Sequence, residues 1–275
     1  MIKLITIDVD GTLVTPLKRL TSKNIKAIKK ARDLGVHVAL ASGRPFHSME
    51  AYIKKLGLME AGHYTICQNG SYIVDNGTGR PIGGSLQSVD DLIRLDELMA
   101  GFDVQVSAMD HGGFYTRHER PNMETRLDAR INKMPLQKIE YDNLPEDKDF
   151  GRFLILGKKS AIKKVIKNMP EDLKKDYYPV KTAPFLIEVM DQEANKGTAV
   201  RKLGQILDIS PDEIMSIGNE RNDIPMLKET GFPVAMANAV NELKPLAKFI
   251  TKSNRKHGVG HAVEMLIDNG MEIFV

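Results

Sequence analysis

The chain has 275 residues, 42% of them apolar, which is enough to bury a substantial core and excludes a disordered chain. Its formal net charge of +3 comes from both signs scattered along the sequence without a basic tail, which argues against a nucleic-acid partner. The one cysteine, Cys67, cannot close an internal disulfide, no run reaches the roughly 18 apolar residues of a membrane span, and the N-terminus opens directly on a strand pattern. A cytoplasmic protein without a membrane partner is expected.

The first element is "KLITIDVDGTLV", in which an apolar run leads into Asp8 and Asp10 and then at once into Gly11 and Thr12. A helix follows over "TSKNIKAIKKARDLG", with Ile25, Ile28 and Ala31 at helical spacing, Thr21 or Ser22 as N-cap and Gly35 at its end. Strand "VHVALASGR", a helix to Leu56, strand "YTICQNG" and a hairpin through Asn76 and Gly77 continue the rhythm. From about Gly83 to Ala183 the alternation becomes less regular, with prolines and hairpin-like pieces such as "FDVQVSAMDHGGFYTR", and this stretch reads as an insert. The clean pattern returns with strand "FLIEVM" from Phe185, then helix "KGTAVRKLGQIL", strand "EIMSIGN", helix "NDIPMLKET", strands "FPVAMAN" and "KFITKS", and helix "GVGHAVEMLIDNG". Alternating strands and helices predict an α/β protein with a Rossmann-like parallel sheet core, split as 1–82 and 184–275 around an inserted α+β domain at 83–183.

Open α/β sheets bind ligands beyond the C-terminal ends of their strands, which is where Asp8 and Asp10 are expected. Two residues apart on an extended chain, they point to one side and can converge on a metal or a substrate group, since close carboxylates repel unless a cation intervenes. The same residues equally describe a solvated turn. Three further polar clusters follow. Ser42, Gly43 and Arg44 offer a hydroxyl, backbone N–H and a guanidinium to a phosphate. Asn195 and Lys196 open a helix, where a lysine opposes the helix dipole unless it serves an anion. Gly218, Asn219, Glu220, Arg221, Asn222 and Asp223 carry oxygen donors suited to magnesium. Each cluster alone also reads as a loop or a cap; their joint placement after successive strands is what points to a site.

Other motifs fail on spacing. A calcium loop with Gly11 at its sixth position would put Leu17 where a bidentate Glu is required. "GRFLILGKKS" has one residue too many between its glycines for a phosphate loop, "GVGHAV" ends in Val263 where a dinucleotide fingerprint needs Gly or Ala, and "HGVGH" lacks the glutamate of a zinc-protease helix. His257 and His261 therefore read as ordinary helix-start residues. The lysines of "GKKSAIKKVIKN" form a solvated face over buried Ile162, Val165 and Ile166.

Taken together, "DVDGTL", "ASGR", "NKG" and "GNERND" resemble, in order, the four motifs of the haloacid dehalogenase superfamily of phosphotransferases, and within it the Cof-type phosphatases with a large inserted cap. "NG" at Asn69, "AMANA" with Asn238 and "TKSNRKHGV" are similar to further segments of that subfamily. The resemblance implies Asp8 as nucleophile, Asp10 as general acid and base, Ser42 as a phosphoryl-holding hydroxyl and Lys196 as the lysine that steadies nucleophile and phosphate. It implies Gly11, Thr12, Gly43, Arg44 and Asn222 as phosphate-binding residues, and Asp8, Asp10, Asn219 and Asp223 as the Mg²⁺ set. One position departs: the fourth motif usually reads G-D-x-x-N-D, and Asn219 stands at its first aspartate.

The function expected from this resemblance is magnesium-dependent hydrolysis of small phosphorylated metabolites, sugar phosphates by default, through an aspartyl-phosphate. The insert is expected to confer substrate selectivity, with Arg117, His118, Arg120 and Arg126 as candidates to face substrate. The alternatives are a phospho-ligand binder of low turnover, because of Asn219, and a phosphomutase.

Overall fold

The computed structural model describes residues 1–274, which divide into two units, 1–84 with 195–274 and Ser85–Ala194. The first unit opens with β1 (Leu4–Asp8), buried along its whole length, and α1 (Ser22–Asp33). Thr21 caps that helix by accepting the Asn24 N–H at 3.3 Å, and Ala27, Ile28 and Ala31 form its buried stripe while Ile25 is half-buried. Then come β2 (His37–Ala41), α2 (Glu50–Leu56), closed by Gly57 in the left-handed region, β3 (Tyr64–Cys67), and the hairpin of β4 (Tyr72–Asp75) and β5 (Arg80–Gly83).

The second unit runs through α3 (Val89–Met99), β6 (Gln105–Met109), β7 (Phe114–Thr116), α4 (Met123–Ile131), β8 (Leu136–Lys138), β9 (Arg152–Leu156), α5 (Lys159–Lys167), α6 (Glu171–Asp176), β10 (Tyr177–Ala183) and β11 (Leu186–Asp191). The chain then returns to the first unit with α7 (Lys196–Ile206), β12 (Ile214–Gly218), α8 (Ile224–Lys228), β13 (Phe232–Ala235), β14 (Phe249–Ile250) and α9 (Gly258–Asp268).

The sheet of the first unit has the order β14-β13-β12-β1-β2-β3-β4-β5. It is parallel from β14 to β3, and β4 and β5 close it as an antiparallel edge. β1 sits between β12 and β2, Ile5 opposite Met215 on one side and Val38 on the other, so both its faces are covered and its sequence reads as an unbroken apolar run. The residues directly after β1, β2, β3, β12, β13 and β14 therefore gather along one edge.

The sheet of the second unit has the order β10-β11-β9-β6-β7-β8, and its pairs are antiparallel except for β7 and β8. Side chains alternate across it. Val106, Phe153, Ile155, Ile187 and Val189 pack with Leu92, Leu95, Ile162 and Val165 from α3 and α5, while Met109, Leu154, Leu156 and Leu186 pack with Phe114, Ala129 and Met134 on the opposite face.

Two expectations are corrected here. The strand at Leu186–Asp191 was assigned to the parallel core, but it lies between β10 and β9 in the second sheet, so the second unit ends at Ala194 rather than near Ala183. An apolar run with alternate inward residues fits either sheet, and only pairing with Phe153 to Leu156 decides between them. Ile166, expected in the core stripe of α5, is exposed, and Ala161 is buried beside Ile162 and Val165 instead. Among the described residues, no helix is long and apolar enough to cross a membrane.

Candidate active site

β1 delivers Asp8 to the C-terminal edge of the parallel sheet, and the chain then turns sharply. Leu13 N–H reaches back to the Asp8 carbonyl at 3.2 Å and Val14 N–H to that of Val9 at 3.1 Å. Gly11 makes the turn possible with a φ of +86°, a conformation that side chains disfavour, and a Cβ there would lie 2.5 Å from the Asn219 amide.

Lys196 comes to the same point from the start of α7. Asn195 caps that helix, its Oδ1 accepting the Thr198 N–H at 2.9 Å, and Gly197 lets the first turn pack on the Pro225 backbone. The buried ammonium donates to Asp8 Oδ1 at 2.6 Å and to Asp223 Oδ1 at 2.7 Å. Burial, opposed by Lys196 and reinforced by Asp223, pushes the Asp8 carboxyl up to about 7. For Lys196, burial acts to lower the pKa, but the two carboxylates outweigh it and raise it. The lysine is thus the shared cation of two buried anions.

Asp10 faces the other way. Arg44 grips its carboxylate with Nε on Oδ2 at 2.6 Å and Nη2 on Oδ1 at 2.7 Å, and Lys18 adds a contact at 2.5 Å. Partial burial would raise its pKa, yet these cations lower it, so Asp10 is held ionised. The Asp10 main-chain carbonyl lies 3.0 Å from the Asn219 amide. The sequence missed Lys18, because nothing in its spacing marks a loop lysine as a partner of Asp10.

The expected metal set is thereby redrawn. Asp223 has both oxygens engaged, Oδ1 by Lys196 and Oδ2 by the N–H groups of Asn219 at 2.8 Å and Glu220 at 3.0 Å. It holds the lysine and the 219–220 backbone. The Asn219 amide lies 3.1 Å from Asp8 Oδ2, 3.0 Å from the Asp10 carbonyl and 2.8 Å from Thr12 Oγ1. Adjacent oxygens on an octahedral Mg²⁺ with ligands at 2.0–2.1 Å sit about 3 Å apart, and the Asn219 amide lies at that separation from both Asp8 Oδ2 and the Asp10 carbonyl, all three being hard oxygen donors when Oδ1 faces them. Among the described residues, no group of three or more His, Cys, Asp or Glu side chains could hold a metal. The agreement with magnesium rests on a backbone carbonyl and an amide.

The remaining expected residues line the same edge. Thr12 is buried and donates to Asn219, Ser42 is buried with its Oγ accepting the Arg44 N–H at 3.2 Å, and Gly43 lies against the Asn69 side chain. Asn222 is exposed and donates to Asn69 Oδ1 at 3.1 Å. Asn238 donates to the Gly11 carbonyl at 2.9 Å, and Asn254 to that of Val14 at 2.9 Å, so the segments after β13 and β14 brace the β1 turn.

The candidates of the second unit divide differently. Arg117 is paired with Asp96 at 2.5 Å, His118 is half-buried, and Arg120 and Arg126 are exposed.

Comparison with known proteins matches this architecture throughout. The model of the haloacid dehalogenase-like hydrolases covers residues 5–263. YxeH of Bacillus subtilis (strain 168), provisionally named a phosphatase, is 34% identical over 267 residues, 97% of this chain and 99% of its own. YwtE of the same organism, named a 5-amino-6-(5-phospho-D-ribitylamino)uracil phosphatase, is 27% identical over 96% of this chain and 98% of its own. A crystal structure of a haloacid dehalogenase-like hydrolase from Bacteroides thetaiotaomicron superimposes with a TM-score of 0.78 at 24% identity, covering 97% of this chain and all of that one, which shows the shared fold. With the family model spanning nearly the whole chain, the protein belongs to the haloacid dehalogenase-like hydrolases, in the Cof-type phosphatase branch.

Proposed function

We propose that this phosphatase-family enzyme hydrolyses small phosphorylated metabolites, with phosphate esters of sugars and polyols as the substrate class, in a magnesium-dependent reaction through an aspartyl-phosphate on Asp8. The observation that carries the reading is the buried Asp8 carboxylate at the sheet edge, one oxygen on Lys196 and the other beside the Asp10 carbonyl and the Asn219 amide. The ribityl phosphate in the name of YwtE supports the substrate class.

An Asp8 oxygen attacks phosphorus in line as the ester P–O bond breaks, and Lys196 offsets the repulsion between carboxylate and phosphate. Asp10 gives a proton to the leaving alkoxide, then takes one from the water that cleaves the aspartyl-phosphate and releases inorganic phosphate. To act as the acid, Asp10 must release Arg44 and Lys18 and take up a proton from solvent, so the phosphoryl group competes for those two cations. Ser42 Oγ, the backbone N–H groups of Gly11, Thr12, Gly43 and Arg44, and the Asn222 amide hold the phosphoryl oxygens. Mg²⁺, when bound at Asp8, the Asp10 carbonyl and Asn219, supplies charge neutralisation for the transferring group. The inserted unit, Ser85–Ala194, provides selectivity for the leaving group.

A second reading, favoured by Asn219, is a phospho-ligand binder with little turnover. Phosphate release from an aryl phosphate across a magnesium titration, followed by a panel of phosphorylated metabolites, separates the two. Saturable binding of inorganic phosphate without release from any ester would overturn the phosphatase reading. Recovery of an isomeric phosphate ester, with no free phosphate, would identify a mutase instead.

A further inference from the structure

The Asn219 main chain is fixed on both sides, its N–H donating to Asp223 Oδ2 at 2.8 Å and its carbonyl accepting from Val240 N–H at 2.9 Å. Its side chain is 3% exposed and abuts Gly11. The one motion left to it is rotation of the amide, and a half-turn exchanges two ends of almost equal size. With Oδ1 turned to the site, the amide accepts from Thr12 Oγ1 at 2.8 Å and lines up with Asp8 Oδ2 and the Asp10 carbonyl as a third oxygen. With Nδ2 turned there, the same place holds a donor 3.1 Å from Asp8 Oδ2, 3.0 Å from the Asp10 carbonyl and 2.8 Å from Thr12 Oγ1.

We propose that Asn219 works as a two-position amide: Oδ1 faces Asp8 and Asp10 when a divalent cation is bound, and Nδ2 faces the same oxygens when none is. The inference rests on the reading of this edge as a cation site and goes beyond it by assigning the amide a second, cation-replacing role. An aspartate at this position has no donor to offer. It would add another carboxylate beside Asp8, whose buried counter-charge, Lys196, is already shared with Asp223. A carboxylate oxygen about 3 Å from both Asp8 Oδ2 and the Asp10 carbonyl, with one anionic charge more, would then need a cation to stay folded there. The amide makes the fold of the edge independent of magnesium, at the cost of weaker magnesium binding.

The test is thermal unfolding of the full-length wild type, Asn219→Asp and Asn219→Leu, each in EDTA and in saturating MgCl₂, with calorimetric Mg²⁺ titration. The wild type is expected to rise in MgCl₂ only by what Mg²⁺ binding itself adds, and by less than Asn219→Asp does. Asn219→Asp should melt about 3 °C or more lower in EDTA and recover in MgCl₂, with roughly ten-fold tighter Mg²⁺ binding. Asn219→Leu should melt lower in both, because it offers neither donor nor ligand. Equal melting of wild type and Asn219→Asp in EDTA would overturn the proposal. Should Asn219→Asp fail to fold under either condition, the side-chain NH₂ resonances of Asn219 in the ¹⁵N-labelled wild type decide: they shift as Mg²⁺ binds if the amide turns, and unchanged resonances at calorimetric saturation overturn it. Aryl phosphate hydrolysis by the same wild-type sample keeps the two readings apart. Turnover without the melting pattern removes only the two-position amide, and the melting pattern without turnover removes only the phosphatase reading.

Discussion

Each unit buries a set of one basic and two acidic side chains, and the two sets do different things. In the parallel unit, Lys196 bonds both Asp8 and Asp223, and the set stands at the strand ends, next to a turn shaped by Gly11. In the second unit, Arg152 pairs with Glu188 at 3.0 Å, with Asp128 nearby, on the sheet face that also carries Leu154, Leu156 and Leu186. There the basic group also touches Met109 Sδ at 3.7 Å, and Asn132 donates to Asp128 at 3.1 Å. The charge inventory is alike; position separates the roles. Charges at the open end of a parallel sheet are within reach of a ligand, whereas charges in the middle of a covered sheet face serve packing and register.

The largest expected effect comes from Asp8→Asn, which should lower turnover by about a thousand-fold or more while far-UV circular dichroism stays unchanged, since an amide of the same volume cannot attack phosphorus. Hydrolysis at the wild-type rate would remove Asp8 as nucleophile and with it the functional half of the comparison.

Replacing the shared cation tests both sets. Lys196→Met leaves Asp8 and Asp223 without their buried partner and should cost about 3–5 kcal/mol in chemical denaturation as well as nearly all activity. Arg152→Met should cost a similar amount, about 3 kcal/mol, with kcat per folded molecule retained. An inactive but fully folded Arg152→Met protein would break the distinction between the two sets.

The second set also carries a pH dependence. Burial, with Glu188 adding and Arg152 opposing, raises the Asp128 carboxyl from 3.8 to about 6. A carboxyl raised on folding favours the folded state in its protonated form: the full benefit holds below the unfolded value and fades as the pH rises through about 6. Asp128→Asn should therefore stabilise the protein above that range by about 2 kcal/mol and bring little gain at pH 3.5. Denaturant midpoints measured across that range check the sign.

The smallest effects concern helix caps. Ser88, which caps α3 by accepting the Asp91 N–H at 3.2 Å, and Asn195, which caps α7, should each cost about 1 kcal/mol as alanine variants. Only Asn195→Ala should also reduce kcat, because α7 carries Lys196 to Asp8. Equal kcat in both variants would mean that the lysine finds its place without its cap.

The sequence by itself determined the elements and the residues that matter at the sheet edge, because burial periodicity and turn chemistry are local. Thr21 and Gly35 mark helix ends within a few residues of themselves, and Asp8, Ser42 and Asn219 stand directly after apolar runs. Tertiary structure decided everything that depends on a distant partner. Leu186–Asp191 reads as a core strand, but it completes the second sheet through pairing with β9, so Lys196 is not delivered by a core strand of its own; it enters on a helix, 188 residues from Asp8 in the chain. Spacing puts the Asp8 and Asp10 side chains on one side, yet Gly11 turns the chain, and Arg44, 34 residues on, draws the Asp10 carboxylate away, leaving its carbonyl beside Asp8. Asp223 reads in the sequence as an oxygen donor, and the fold adds Lys196 and two backbone N–H groups as its partners. A charged or apolar side chain announces what kind of neighbour it needs, but several neighbours of that kind exist in the chain, and only closure of the whole fold selects among them.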